Sequence, residues 1–183
     1  MLDLDAGWET EHLHLEPLVP GHAAELASAL DDARLHQFTG GAPLSTNALT
    51  ARYERLATRR STDGTQLWGN WVLRSRETGT AVGTVQATLP ARGPDAGPAE
   101  VAWVVVWAAQ GRGYAKEAAR SLADRLVESG WSVVAYIHPA HLASQHVARA
   151  ALLRPADSTR DGERCWFRPP SASASTVQIS SMI

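Results

Sequence analysis

Apolar and polar residues alternate over 11–18, with Leu13 and Leu15 on one side and His12 and His14 on the other. That period of two predicts a half-buried strand. Pro20 and Gly21 then open a segment with Ala23, Leu26, Ala27 and Leu30 at helical spacing. Gly40-Gly41-Ala42-Pro43 reads as a loop. Ser45 or Thr46 can cap a second helix that carries Leu49, Tyr53 and Leu56 on one stripe. Two strands follow, about 67–75 and 81–89, joined by a turn at Glu77-Thr78-Gly79. Pro90, Gly93, Pro94, Gly97 and Pro98 break the chain into a loop. Val101 to Val106 is unbroken apolar sequence, which predicts a strand buried on both faces. A glycine turn at Gln110–Gly113 leads into a helix with Ala115, Ala118, Ala119, Leu122 and Leu126 inward, closed by Gly130. A strand near 132–137, a helix near 141–152 and two strands near 154–159 and 163–168, turning at Asp161-Gly162, complete the pattern.

Helices interleaved with strands in this order give an α/β (α+β) fold with a mixed sheet. The strand–helix–strand unit at 101–137 is expected to be a right-handed parallel crossover. The chain has 183 residues, enough for one domain. The domain spans 8–168, with an N-terminal extension at 1–7 and a Pro/Ser/Ala tail at 169–183 that is expected to be mobile.

Composition narrows the functional classes. With 17 basic against 19 acidic residues, the net charge of −2 argues against a protein that binds nucleic acid through a broad basic face. Cys165 is the single cysteine, which excludes an internal disulfide framework and a cysteine-rich metal site. His12 with His14, and His138 with His141, are pairs that no cysteine or clear carboxylate completes, so no metal is expected. The N-terminus lacks the apolar stretch of a secretory signal. The longest apolar run, 101–109, is far short of the roughly 20 residues that span a bilayer. A cytoplasmic protein without a membrane partner is expected.

The candidate chemistry lies in Gln110-Gly111-Arg112-Gly113-Tyr114-Ala115-Lys116. A central strand passes through glycines into a helix whose first N–H groups have no partner and whose dipole is positive. Glycine lets backbone approach a bound group closely, so the turn suits an anion, above all phosphate. Arg112 and Lys116, the only lysine, oppose the dipole in the first turn, and a bound phosphate would reverse that sign. Solvated surface charge is the alternative reading. The segment is neither a P-loop nor a dinucleotide fingerprint.

Gln110-Gly111-Arg112-Gly113-Tyr114-Ala115 resembles the Gln/Arg-x-x-Gly-x-Gly/Ala signature of the GNAT N-acetyltransferases. Tyr114-Ala115-Lys116-Glu117-Ala118 and the stretch from His138 to Ala148 resemble the Rim-type branch of that family, the ribosomal-protein-alanine acetyltransferase-like proteins. The resemblance covers most of 8–168. It implies a twisted, mostly antiparallel sheet of about six or seven strands, four helices on both faces, and central strands splayed by a β-bulge.

The same resemblance implies acetyl-CoA, or another acyl-CoA, as cosubstrate. The pyrophosphate would rest on Gly111, Arg112, Gly113, Tyr114 and Ala115, with Gln110 opening the turn and Lys116 beside it. The pantetheine arm would lie along Val104, Val105 and Val106, and an N–H near Val105 would stabilise the oxyanion. Glu100 is the candidate base, with an exposed strand-entry carboxylate as the alternative. Ser144 matches a serine proposed to act on the thiolate. His141 stands where the family carries asparagine; it would contact the cofactor arm or serve as the acid itself. That substitution also motivates a second reading, a GNAT-fold module that binds or senses CoA without turnover.

The acceptor would be a small amine or a peptide N-terminus. In this fold its side is built by the loop near 36–46 and the last hairpin, which offer Phe38, Thr39, Asp157 and Asp161. Trp107, one of seven tryptophans, can wall the same pocket. A homodimer is expected by analogy with the family.

Overall fold

A computed structural model describes residues 2–38 and 44–171. Eight strands form one sheet: β1 (Trp8–Glu9), β2 (Leu13–Pro17), β3 (Gln66–Ser75), β4 (Ala81–Pro90), β5 (Ala99–Val105), β6 (Val133–Ile137), β7 (Arg154–Arg160) and β8 (Glu163–Arg168). Four helices accompany them: α1 (His22–Leu30), α2 (Thr46–Ala57), α3 (Tyr114–Glu128) and α4 (Leu142–Ala150). The order across the sheet is β1-β2-β3-β4-β5-β6-β8-β7, and among the described residues only β5 and β6 run parallel. The count exceeds the expected six or seven because Trp8–Glu9 is too short to show a period.

Alternation fixes the two faces. Leu13 and Leu15 are fully buried, and Trp71 and Leu73 join them in the core beneath α3. Val72 points the other way, into a second cluster with Leu18, Leu26, Leu49 and Tyr53 of the α1/α2 layer. Ser45 caps α2 by accepting the Ala48 N–H at 3.3 Å. The α3 stripe of Ala118, Ala119, Leu122, Ala123 and Leu126 is wholly buried against the sheet.

Residues 2–7 are bound to this core. Leu2 is buried, Leu4 packs beside it, and the Trp71 indole N–H donates to the Ala6 carbonyl at 3.0 Å. At the other end the Ser171 N–H donates to Val127 O at 3.1 Å. The rest of the predicted tail, 172–183, and the loop 40–43 with Thr39 lie outside the described residues.

Two expectations about β5 are corrected. The apolar run does not bury both faces: Val101, Trp103 and Val105 face the α3 core, but on the opposite face Ala102 is exposed and Glu100 and Val104 are half-buried. The helices α1 and α2 pack over β3 and β4 on that side. Nor does a bulge interrupt β5, which keeps unbroken register with β4 from Thr88↔Glu100 to Gly83↔Val105. The register shifts fall in β3–β4, at Leu73/Arg74, and in β7–β8, at Pro155/Thr159. The splay arises because β5 and β6 pair only at Ala99↔Val133 and Glu100↔Val134.

Candidate active site

The gap between β5 and β6 starts directly after Glu100. Its lining follows from the parity of the strand. The Ala99 N–H donates to Ser132 O, on the β6 side, while the Val106 N–H donates back to Val82 O of β4. Backbone groups alternate in direction along a strand. Trp103 and Val105 therefore turn their N–H and C=O groups into the gap. The side-chain amide of Gln110 takes the Val105 carbonyl at 3.1 Å, which ties the glycine turn to the end of the strand.

That turn has the left-handed backbone glycine tolerates, with φ of 79° at Gly111 and 87° at Gly113. A Cβ at either position would meet nothing within 4 Å. The first helical bond runs from the Glu117 N–H to Gly113 O at 3.1 Å. Among the described residues, the N–H groups of Gly111 through Lys116 find no acceptor. Gly111, Arg112, Gly113 and Lys116 are exposed, and the run of amides has the positive dipole end of a 15-residue helix behind it. Arg112 and Lys116 are both exposed and have no ion-pair partner among the described residues. The arrangement suits a pyrophosphate, with the Val104–Val106 edge beside it for an extended amide-bearing arm.

Glu117 has a different task. Its carboxylate accepts the Thr10 hydroxyl, the His12 N–H at 2.8 Å and the His12 ring at 2.9 Å. Burial raises this carboxyl, but those hydrogen bonds outweigh it and leave the group below its ordinary value. The helix that presents the turn is thereby pinned to the edge of the sheet.

Across the gap, His141 is the N-cap of α4 and its Nδ1 accepts the Ser144 N–H at 3.4 Å. Nδ1 is then the acceptor nitrogen, and Nε2 carries the proton. Phe38 stacks on this imidazole with centroids 4.4 Å apart. Burial, and then the charge of His138, lower the His141 value, so the ring is neutral near pH 7. It can donate a hydrogen bond, while an imidazolium acid is disfavoured. The Ser144 side chain is half-buried and makes no hydrogen bond among the described residues. Phe38, Ser144 and His141 thus share one wall.

Glu100 marks the vertex of the gap. Its two oxygens receive Arg160 Nη2 at 2.6 Å and Nη1 at 2.9 Å. Arg160 ends β7, and its guanidinium carbon lies over the Tyr136 ring, 3.6 Å from its centroid. Beside Glu100 on the same face run Thr84, Gln86 and Thr88 of β4, all half-buried. Their alternation with Val85, Ala87 and Leu89 is visible in the sequence. Arg160 left no such signal, because nothing local relates position 160 to position 100. Asp157 faces Arg164 at 3.9 Å, and Asp161 forms the left-handed turn at φ 52°.

Trp107 stands apart from the vertex. It is 45% exposed, and the guanidinium of Arg34 sits 3.8 Å above its ring. Asp32, pulled down to about 2 by Arg34, holds that guanidinium in place. Trp107 lines a cleft with Val106, Ala108 and the 28–34 segment, next to the glycine turn.

The sequence matches the family model described as an acetyltransferase (GNAT) domain over residues 12–151. Among curated proteins none matches. Solved structures share the fold. A protein described as a GNAT-family acetyltransferase, from Bordetella pertussis, is 24% identical, with 91% of this chain and 99% of that one covered at a TM-score of 0.67. RimL, the ribosomal L7/L12 α-N-protein acetyltransferase, in complex with coenzyme A, is 14% identical over 88% and 96% at 0.71. Aminoglycoside acetyltransferase AAC(6')-Ib, also with coenzyme A, is 15% identical over 85% and 93% at 0.66. With the glycine turn, the splayed strands and the family model all falling on the same residues, the chain belongs to the GNAT family of acetyltransferases.

Proposed function

We propose that the protein transfers an acetyl group from acetyl-CoA to a primary amine by direct attack within a ternary complex. The observation that carries this is the run of N–H groups from Gly111 to Lys116 that find no partner among the described residues, placed beside a strand edge that no described strand pairs with beyond Glu100. The two coenzyme A-bound neighbours support an acyl-CoA as the cosubstrate. Their names also give two kinds of amine acceptor, a protein α-amino group and an aminoglycoside.

The pyrophosphate rests on the turn, with Arg112 and Lys116 alongside. The arm follows Val104 to Val106, which brings the thioester to the Val105 N–H. The acceptor enters over the uncovered face at Ala102. Glu100 takes the proton that turns the ammonium into a nucleophile, a role worth about 10²–10⁴ in rate. The amine nitrogen bonds to the acetyl carbon, and the oxyanion is held by the Val105 N–H. The C–S bond then breaks. The departing sulfur is stabilised by the His141 Nε2–H and takes up the remaining amine proton, with the Ser144 hydroxyl as the relay. Net, an ammonium and acetyl-CoA give an acetamide, free CoA and one proton.

The test is thiol release from acetyl-CoA against a panel of amines, with mass detection of the acetylated product. Acetamide formed one-for-one with CoA is the expected result. Acetyl-CoA binding without thiol release from any amine would instead make the protein a CoA-binding module.

A further inference from the structure

The acceptor's chemical class can be read from Glu100 and Arg160. The two head groups touch, one on β5 and one at the end of β7, on the sheet face that α1 and α2 leave open. Both side chains are partly solvated, at 40% for Glu100 and 48% for Arg160. The pair therefore contributes little to stability, and exchanging its partners costs little. Its donors and acceptors are also not used up. Among the described residues, Arg160 spends two of its five N–H donors, both on Glu100, and Glu100 accepts only those two.

Tyr136 keeps the guanidinium in place from below, at 3.6 Å. A planar cation fixed on an aromatic face presents its remaining donors in a set direction. Glu163 lies opposite Arg160 in the β7–β8 register, and Asp161 follows it, yet neither forms an ion pair with it. The vertex of the gap thus offers one carboxylate and one guanidinium side by side. A ligand that complements both must carry an ammonium and a carboxylate side by side.

We infer that the acceptor is a free α-amino acid, its ammonium bound by Glu100 and its carboxylate by Arg160. This rests on the acyl-transfer reading above and narrows its amine. The ammonium meets the carboxylate that is to deprotonate it, at the point where β5 and β6 part. The carboxylate takes Arg160 donors that Glu100 leaves free, so a single ion pair becomes a four-charge cluster. An amine with its acid group amidated or missing fits half of this arrangement.

The experiment uses the full chain with acetyl-CoA, the twenty free L-amino acids, their primary carboxamides and a serine-initiated tripeptide amide. Two quantities are read: CoA release, and calorimetric binding of each probe to the CoA-saturated protein. For at least one amino acid, kcat/KM is expected to exceed that of its carboxamide by about ten- to hundredfold, the worth of a charge-assisted hydrogen bond. Arg160→Gln brings that ratio near one, chiefly through KM, and Arg160→Lys restores part of it. Thermal melting of each variant reports whether it folds. Equal use of acids and amides, preference for the tripeptide amide, or an unchanged ratio in Arg160→Gln overturns the inference. If no probe is acetylated, this inference is overturned, while the transferase reading stands or falls on thiol release with the wider amine panel. With an acetylated amino acid, acid-selective binding that Arg160→Gln abolishes upholds the role of Arg160, and absence of selective binding overturns it.

Discussion

The Phe38 ring lies on the His141 imidazole, 4.4 Å between centroids and 23° from parallel. Phe38 follows the turn after α1, whereas His141 begins α4 on the far side of the β5–β6 gap. The contact joins the segment after α1 to the helix that carries Ser144. It also buries a titratable ring, and that burial is the main reason His141 titrates below its ordinary 6.5.

Phe38→Ala should let the His141 value climb back towards 6.5, because water regains access to the imidazolium. Proton–carbon NMR of the histidine ring signals across pH 4–8 reads this directly. An unmoved His141 titration would show that other groups supply the burial.

Glu117 anchors α3 to Thr10 and His12. Glu117→Ala removes a part-buried acceptor of three hydrogen bonds and should cost about 1–3 kcal/mol. For a chain of this size that is a melting-temperature loss of about 2–12 °C. The pH dependence has a definite sign. His12 is raised above 6.5 by its hydrogen bond to Glu117, so its contribution is complete below 6.5 and fades as pH rises through the folded value. Glu117 is lowered below 4.5, so its contribution is complete above 4.5 and fades as pH falls through the folded value. The difference in melting temperature between wild type and Glu117→Ala should therefore peak between about pH 4.5 and 6.5.

Gly83 sets the spacing of the central strands. A Cβ there would come within 2.2 Å of the Val104 carbonyl oxygen and 2.9 Å of Val105 Cα. Gly83→Ala should push the end of β5 away from β4 and disturb the edge at Val104–Val106. We expect lower stability together with a rise in the acetyl-CoA Kd, measured by calorimetry. Gly83→Ala binding as tightly as wild type would separate that edge from the cosubstrate site.

Glu100→Gln keeps the shape of the vertex and removes its charge. In its proposed role as base, Glu100 accounts for about 10²–10⁴ in kcat, and the variant should lose that factor. A variant with unchanged kcat would remove Glu100 from the proton transfer.

Most of this architecture was legible because one periodicity governs each element. Leu13/Leu15 and Val85/Ala87/Leu89 alternate, and the α3 stripe repeats at helical spacing, so strands and helices fall within a few residues of their expected bounds. Gly111 and Gly113 were legible for a local reason: both need the left-handed backbone at the start of a helix. Contacts made only by folding were not legible. Arg160 reaches Glu100 across two strands, and Phe38 reaches His141 across the gap. The open face of β5 escaped as well, since Ala102 and Val104 are apolar whether a helix or a ligand covers them.

The most direct test of the acyl-transfer account is acetyl-CoA binding and turnover in Gly113→Val beside wild type. Gly113 holds φ 87°, which a β-branched residue does not tolerate, and it stands amid the unpartnered N–H groups. Wild type should gain several degrees of melting temperature from acetyl-CoA and release thiol with an amine acceptor. Gly113→Val should fold, lose that gain, and release thiol at least tenfold more slowly at sub-saturating acetyl-CoA. A folded Gly113→Val that keeps both the thermal gain and the turnover would contradict the account.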